Sequence, residues 1–177
     1  ISLFFYSQLL FRMCKMRRWC GGPLMIFSKP VLQYVVEGCS SSDINDAIYF
    51  LRVLQQADSL EYTPQLIQAL HHPDPQVRLF ALDKLDFQGV TKSLISLLHK
   101  QMNMDKDPKV KERILAIIIR FEGAENPKTV FHKYGHYLDD KKWEFGAILG
   151  FLQIGGDCTL LAMDGLQRMT QSKDVKQ

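Results

Sequence analysis

Cysteine is sparse in this sequence, and its placement excludes more than its number does. Cys14, Cys20, Cys39 and Cys158 form no C-x-x-C pair and show no zinc-site spacing. Their scatter fits reduced thiols in an intracellular protein better than a disulfide framework. Long apolar runs are missing too: residues 1–11 are rich in aromatic and aliphatic side chains, but a spanning helix needs about 20 apolar residues. There is no H-E-x-x-H, no Ser-His-Asp set, no glycine-rich phosphate loop and no paired catalytic carboxylate. No catalytic residue, metal or cofactor is therefore expected.

Acid is absent from residues 1–30, which carry Arg12, Lys15, Arg17, Arg18 and Lys29. The rest of the chain has 17 basic and 19 acidic residues, a net charge of −2. A nucleic-acid reader wants a strongly basic face with aromatic side chains for stacking, so no nucleic-acid partner is expected. At 177 residues, 46% hydrophobic and 23% charged, the chain can bury a sizeable core and does not read as disordered. It opens on Ile1 and closes on a polar tail, which is compatible with a piece of something longer.

What is present is a repeat. Asp74-Pro75-Gln76-Val77-Arg78 opens a pattern that returns 33 residues later as Asp107-Pro108-Lys109-Val110-Lys111, and again as Asp140-Lys141-Lys142-Trp143-Glu144. A period of that length marks stacked helical pairs. Asp74 is placed to cap a helix and Pro75 to occupy its first position. Val77, Ala81, Leu82 and Leu85 then form a buried stripe ending at Gly89. The same stripe reads Val110, Ile114, Leu115 and Ile118 in the next copy, with Gly123 as its stop. In the last copy it reads Trp143, Ala147, Ile148 and Phe151, stopping at Gly155. Ala116-Ile117-Ile118-Ile119 is apolar on every side, as suits a helix flanked by others.

Second helices are expected over about Val90–Met102, from Asn126-Pro127, and over about Cys158–Met169 with Leu160, Leu161, Met163 and Leu166 inward. An earlier pair starts at Asp43 and Thr63-Pro64. The organisation read from this is an N-terminal segment 1–38, a linker 39–42, a helical array 43–169 and a polar tail 170–177 that frays. The first segment has two readings. It is an irregular helix capping the array, or a membrane-helix end or interfacial anchor with Arg12, Lys15, Arg17, Arg18 and Trp19 at the headgroups. It is not a signal peptide, because the basic residues follow the apolar ones.

The motif D-P-x-V-R-x-x-A-L-x-x-L at 74–85, its echo D-P-x-V-K at 107–111 and the 33-residue period resemble the HEAT repeat, an armadillo-like helical array. The resemblance covers about residues 43–169. It implies an all-α fold, a right-handed α-α superhelix of about four helical pairs, and a non-enzymatic scaffold that binds a protein partner. In related arrays the basic residue at the Arg78 position ties neighbouring repeats through an acidic partner; it is kept as Lys111 and reversed at Glu144. Iron-binding hydroxylases of this class use His-Glu pairs, and no His here is followed by Glu. An apolar and basic segment before such an array also resembles the layout of some bacterial nucleotide translocases. That implies, as the alternative, the cytoplasmic regulatory part of a membrane transporter, anchored through residues 1–19 at an anionic membrane surface.

Candidate partner-binding residues are Gln68, Lys92, Ser96, His99, Lys128 and His132, which are polar and lie outside the apolar stripes. His99-Lys100 and His132-Lys133 fall 33 residues apart, so stacking would set them in a basic column, about 10 Å apart. Ordinary solvated histidines are the plainer reading. His132 and His136 stand at i, i+4 with Asp139 and Asp140 nearby, but Gly135 weakens that helix and no metal site is assigned. Cys158, near a helix start, is in position for a lowered pKa; packing is the simpler role. The expected location is cytoplasmic, with the cytoplasmic membrane face as the variant.

Overall fold

The computed structural model describes residues 3–16, 29–55 and 63–174. These residues are all-α, with ten α-helices, one 3-10 turn and no strand among them. The helices are α1 (Leu3–Lys15), α2 (Lys29–Gly38), α3 (Ile44–Gln55), α4 (Thr63–Ala69), α5 (Pro75–Gln88), α6 (Lys92–Met104), α7 (Pro108–Glu125), α8 (Pro127–Tyr134), α9 (Glu144–Ile154) and α10 (Asp157–Asp174). The 3-10 turn is Gly135–Leu138. The chain forms two compact units, Ile1–Leu85 and Asp86–Gln177, so the last residues of α5 belong to the second.

Side-chain caps set the starts of five helices. Asp43 accepts from the Asn45 and Asp46 N–H groups at 2.9 and 3.1 Å, Asp74 from Gln76 at 2.7 Å, and Asp107 from Val110 at 3.1 Å. Thr91 and Asn126 do the same for α6 and α8. Each cap satisfies a donor that the first turn leaves over, worth about 0.5–2 kcal/mol. Pro75, Pro108 and Pro127 sit where no intrahelical N–H is needed. The repeat's start signals therefore act where the sequence places them, except in the last copy.

There, Asp140 closes a turn instead. Its carbonyl accepts from Trp143 and Glu144 at 2.8 Å each, its carboxylate accepts from the Lys142 N–H at 3.0 Å, and α9 begins only at Glu144. Lys141 stands where the other copies have proline, so φ is not preset for a helix. Trp143 consequently lies at the helix entry, half-buried, and does not take the buried position of Val77 and Val110. Its ring meets Tyr137 at 5.7 Å, with the Lys111 and Lys142 ammonium groups 5.9 and 5.3 Å from its centroid.

Among the glycine stops, one needs correction as well. Gly89 (φ +104°) and Gly155 (φ +86°) stop α5 and α9 as expected. Gly123 does not stop α7, which runs on to Glu125. Gly123 is buried, and a Cβ there would lie 2.2 Å from Ile154 Cδ1, so its role is close packing. The stop falls at Asn126, held extended (φ −151°, ψ 91°) before Pro127, a residue that disfavours helical backbone in its predecessor.

In the first unit, Leu10 and Cys14 of α1 are buried, and Phe11 meets Tyr34 of α2 with ring centroids 5.1 Å apart. Residues 39–42 join α2 to α3 inside this unit. Gly38 packs so tightly on the Phe50 ring that a Cβ would come within 2.2 Å of it. The Ser41 carbonyl accepts from Nε2 of the buried His72 at 2.8 Å, and His72 Nδ1 accepts from the Asp74 N–H at 3.0 Å. Those two bonds fix the Nε2–H tautomer. Arg78 donates to the carbonyls of His72 and Pro73 at 2.8 Å each, satisfying acceptors just past the end of α4.

In the second unit α7 is the centre, packed by α6, α8 and α9. Every residue from Ile114 to Ile119 is buried, as a helix flanked on several sides requires. Asp86 adds a polar tie, held by Arg113 at 3.1 Å and by Arg120. α10 packs on α9 through Cys158, Ala162 and Gly165, whereas Leu160, Met163 and Leu166, expected inward, are exposed. The cause lies at Gly165, where a Cβ would sit 2.9 Å from Ile148 Cδ1. Only small side chains fit between these helices, and the large ones turn outward. α10 also continues through Asp174, past the expected start of the tail. No helix among the described residues is long and apolar enough to cross a membrane. Arg12 and Lys15 are exposed on α1, while Arg17, Arg18 and Trp19 lie outside the described residues.

Candidate functional site

The second unit leaves an apolar cleft of about 570 Å³ where the end of α7 turns into α8 and the end of α9 turns into α10. Two local rules create it. The extended Asn126 ends one helix and caps the next, and Gly155 and Gly156 reverse the chain with φ of +86° and +57°. Both reversals border the same cleft. Its apolar lining is Phe131, Ile154, Cys158 and Leu161, with Phe131 seated against Phe151 at 5.9 Å between ring centroids. Lys128 and His132 of α8 are exposed beside it, and Glu125 and Asp157 also border it. Glu125 is engaged by Lys92 at 3.3 Å. The site can therefore receive an apolar side chain and hold a charged group at its edge.

Cys158 is not an activated thiol. Burial, and then the neighbouring Asp157 charge, push it above its ordinary value, which corrects the lowered pKa that a helix start would give. Burial likewise raises Cys14, and drives Cys39 up to about 12.

The six candidate residues are divided between the two units. Gln68 belongs to the first unit, where it donates to Ser40 Oγ at 3.1 Å. Lys92 pairs with Glu125, and Ser96 Oγ donates back to the Lys92 carbonyl at 3.3 Å. Only Lys128 and His132 reach the cleft.

His99 and His132 part company. His99 Nε2 lies 3.2 Å from Glu122 Oε1, while Glu122 Oε2 receives Lys133 Nζ at 2.9 Å and the Tyr134 hydroxyl at 3.1 Å. The helix starts explain this. α6 begins at Lys92 and α8 at Pro127, an offset of 35 residues, not the repeat's 33. Counted from those starts His99 corresponds to Tyr134, and both meet Glu122. Two positions on a helix are more than half a turn apart, so His132 faces elsewhere. The His132/His136 pair fails for a related reason: α8 ends at Tyr134, and His136 sits in the 3-10 turn with its ring 4.1 Å from Tyr137.

Glu122 was not singled out in the sequence, yet it joins α6, α7 and α8. Burial alone would raise its carboxyl, but hydrogen bonds from Lys133, His99 and Tyr134 outweigh that and hold it below its ordinary value. A depressed carboxylate contributes stability above its unfolded pKa, about 4.3, and loses it as pH falls through the lower folded value. Glu122→Gln is expected to destabilise the protein at neutral pH, with the gap to the parent closing as pH drops below about 4.3. Urea melts of both proteins from pH 7 downward test this; a gap independent of pH would contradict it.

The chain matches no family model, no curated protein sequence and no solved structure.

Proposed function

We propose that this protein is a non-enzymatic binding scaffold of HEAT-like helical pairs, and that its cleft receives one apolar side chain of a partner polypeptide with an acidic residue beside it. The observation that carries this reading is the cleft itself, an apolar hollow with exposed Lys128 and His132 on the α8 side of its edge, Asp157 at the start of α10, and Glu125 engaged by Lys92. A buried apolar anchor with charge at the rim is how polypeptide interfaces divide affinity from selectivity. In this reading α7, buried on several sides, supplies rigidity. The near-neutral charge after residue 30 argues for a protein partner over nucleic acid. Free buried thiols at Cys14, Cys39 and Cys158 suit a reducing compartment, so we place the scaffold in the cytoplasm.

Selection of a displayed random-peptide library on the full chain tests the cleft. Enriched peptides are expected to share an apolar residue next to Asp or Glu. They should bind the Lys128→Glu/His132→Glu double variant about tenfold more weakly or worse, with helicity unchanged by circular dichroism. Peptides without such an anchor, or equal affinity for the double variant, would overturn the reading.

A further inference from the structure

The outer side of α1 combines exposed apolar side chains with positive charge and no negative charge. At 100° per residue, Phe5, Leu9, Arg12 and Met16 share one side of the helix, opposite the buried Leu10 and Cys14. Met16 continues the helical geometry by donating to the Arg12 carbonyl at 2.9 Å. Leu9 is 58% exposed, Met16 59% and Phe5 69%. Gln8 and Lys15 border this stripe, both exposed. Large apolar side chains this open, in line on one helix, are unusual on a face meant for water.

Charge selects among possible occupants. The first acidic residue of the chain is Glu37, after five basic ones. The side chains bordering the stripe therefore offer an anionic surface attraction with no counter-charge nearby in sequence. A spanning role is unsuited to this helix, since Leu10 and Cys14 are buried by packing and Phe11 meets Tyr34 of α2. A helix lying in the plane of a bilayer needs only one apolar side at the acyl boundary and basic groups at headgroup level. That geometry is the one α1 has.

We propose that α1 is an interfacial anchor, which lays Phe5, Leu9 and Met16 into an anionic lipid surface with Arg12 and Lys15 at the phosphates. The anchor is independent of the cleft and does not rest on the peptide-binding reading. Attachment is reversible, because a few apolar side chains and a handful of charges fall far short of a spanning helix. Each basic side chain near an anionic leaflet contributes about fivefold in affinity, and salt screens that share.

Flotation of the full chain with vesicles of phosphatidylcholine and phosphatidylserine, against phosphatidylcholine alone, reads this out. The chain is expected to float with the anionic vesicles and to remain below with the neutral ones, and to lose binding as salt rises. Arg12→Glu/Lys15→Glu should weaken binding by about 25-fold or more. Leu9→Asp keeps every basic residue and should lower binding about tenfold or more. Both positions are exposed, so helicity should hold, and circular dichroism checks it. Failure to float, equal flotation with neutral vesicles, or full binding by Leu9→Asp would overturn the proposal. The last result would assign any attachment to the basic cluster alone, and self-association of the parent that Leu9→Asp abolishes, without flotation, would assign the stripe to a second copy.

Discussion

Gly146→Ala is expected to destabilise the second unit by about 1–3 kcal/mol, although the same exchange on an exposed helix stabilises by up to about 1 kcal/mol. The sign turns on what lies opposite. A Cβ on Gly146 would meet the Glu112 carbonyl oxygen at 2.5 Å and the Glu112 Cα at 2.8 Å. Both are backbone atoms, and no rotamer change relieves the clash. Gly150, one turn on, has Ile119 Cβ at 2.7 Å and the Ala116 carbonyl at 3.0 Å from its added Cβ. α9 thus approaches α7 with its backbone, and a methyl group at 146 forces the helices apart along their shared face. Thermal unfolding followed by circular dichroism measures the loss. It should appear as about 2–8 °C per kcal/mol, depending on whether the units unfold together. An unchanged or raised melting temperature would mean that the two helices are not in this close register.

The second large effect is expected at Ile118. It is fully buried in the run where α7 is covered on several sides. Ile118→Ala removes three carbons from a site whose neighbours belong to packed helices and can collapse only partly. A loss of about 2–5 kcal/mol follows from the transfer and cavity terms together. Exposed Phe145, on α9, provides the control: Phe145→Ala should change stability by no more than about 0.5 kcal/mol. Equal effects at the two positions in urea melts would contradict the burial pattern. Both outcomes bear on the site, because the cleft lies between helices that α7 and α9 hold apart.

The sequence made the helix starts readable because they are local chemistry. An Asp before a Pro acts on its own first turn, so Asp74 and Asp107 could be read without knowing the fold. The all-apolar run at Ala116–Ile119 was legible for a similar reason, since no solvent-facing helix tolerates it. What failed was non-local. Whether Gly123 ends a helix or admits Ile154 depends on a residue 31 positions away. The facing of α10 depended on the space left by Ile148 over Gly165, which no periodicity in α10 itself records.

The candidate site shows the same division. Lys128 and His132 are polar residues outside an apolar stripe, and of the six such candidates these two border the cleft. The cleft itself is made by backbone reversals at Asn126 and Gly155-Gly156, whose lining could be found only after the helices were placed. Repeat register misassigned His99 because it counts residues from copy to copy, whereas a side chain's direction is set by its distance from its own helix start. Tyr134 shared that position and signalled it, as a buried aromatic hydroxyl that needs an acceptor.

Methyl-resolved NMR of the full chain, titrated with a peptide enriched by selection, shows directly where a partner binds. Ile154 and Leu161 line the cleft, and their methyl signals should shift saturably. The Lys128→Glu/His132→Glu variant should show much smaller shifts at the same peptide concentration. Shifts confined to residues outside the cleft, or equal shifts in parent and variant, would contradict the assignment of this cleft as the binding site.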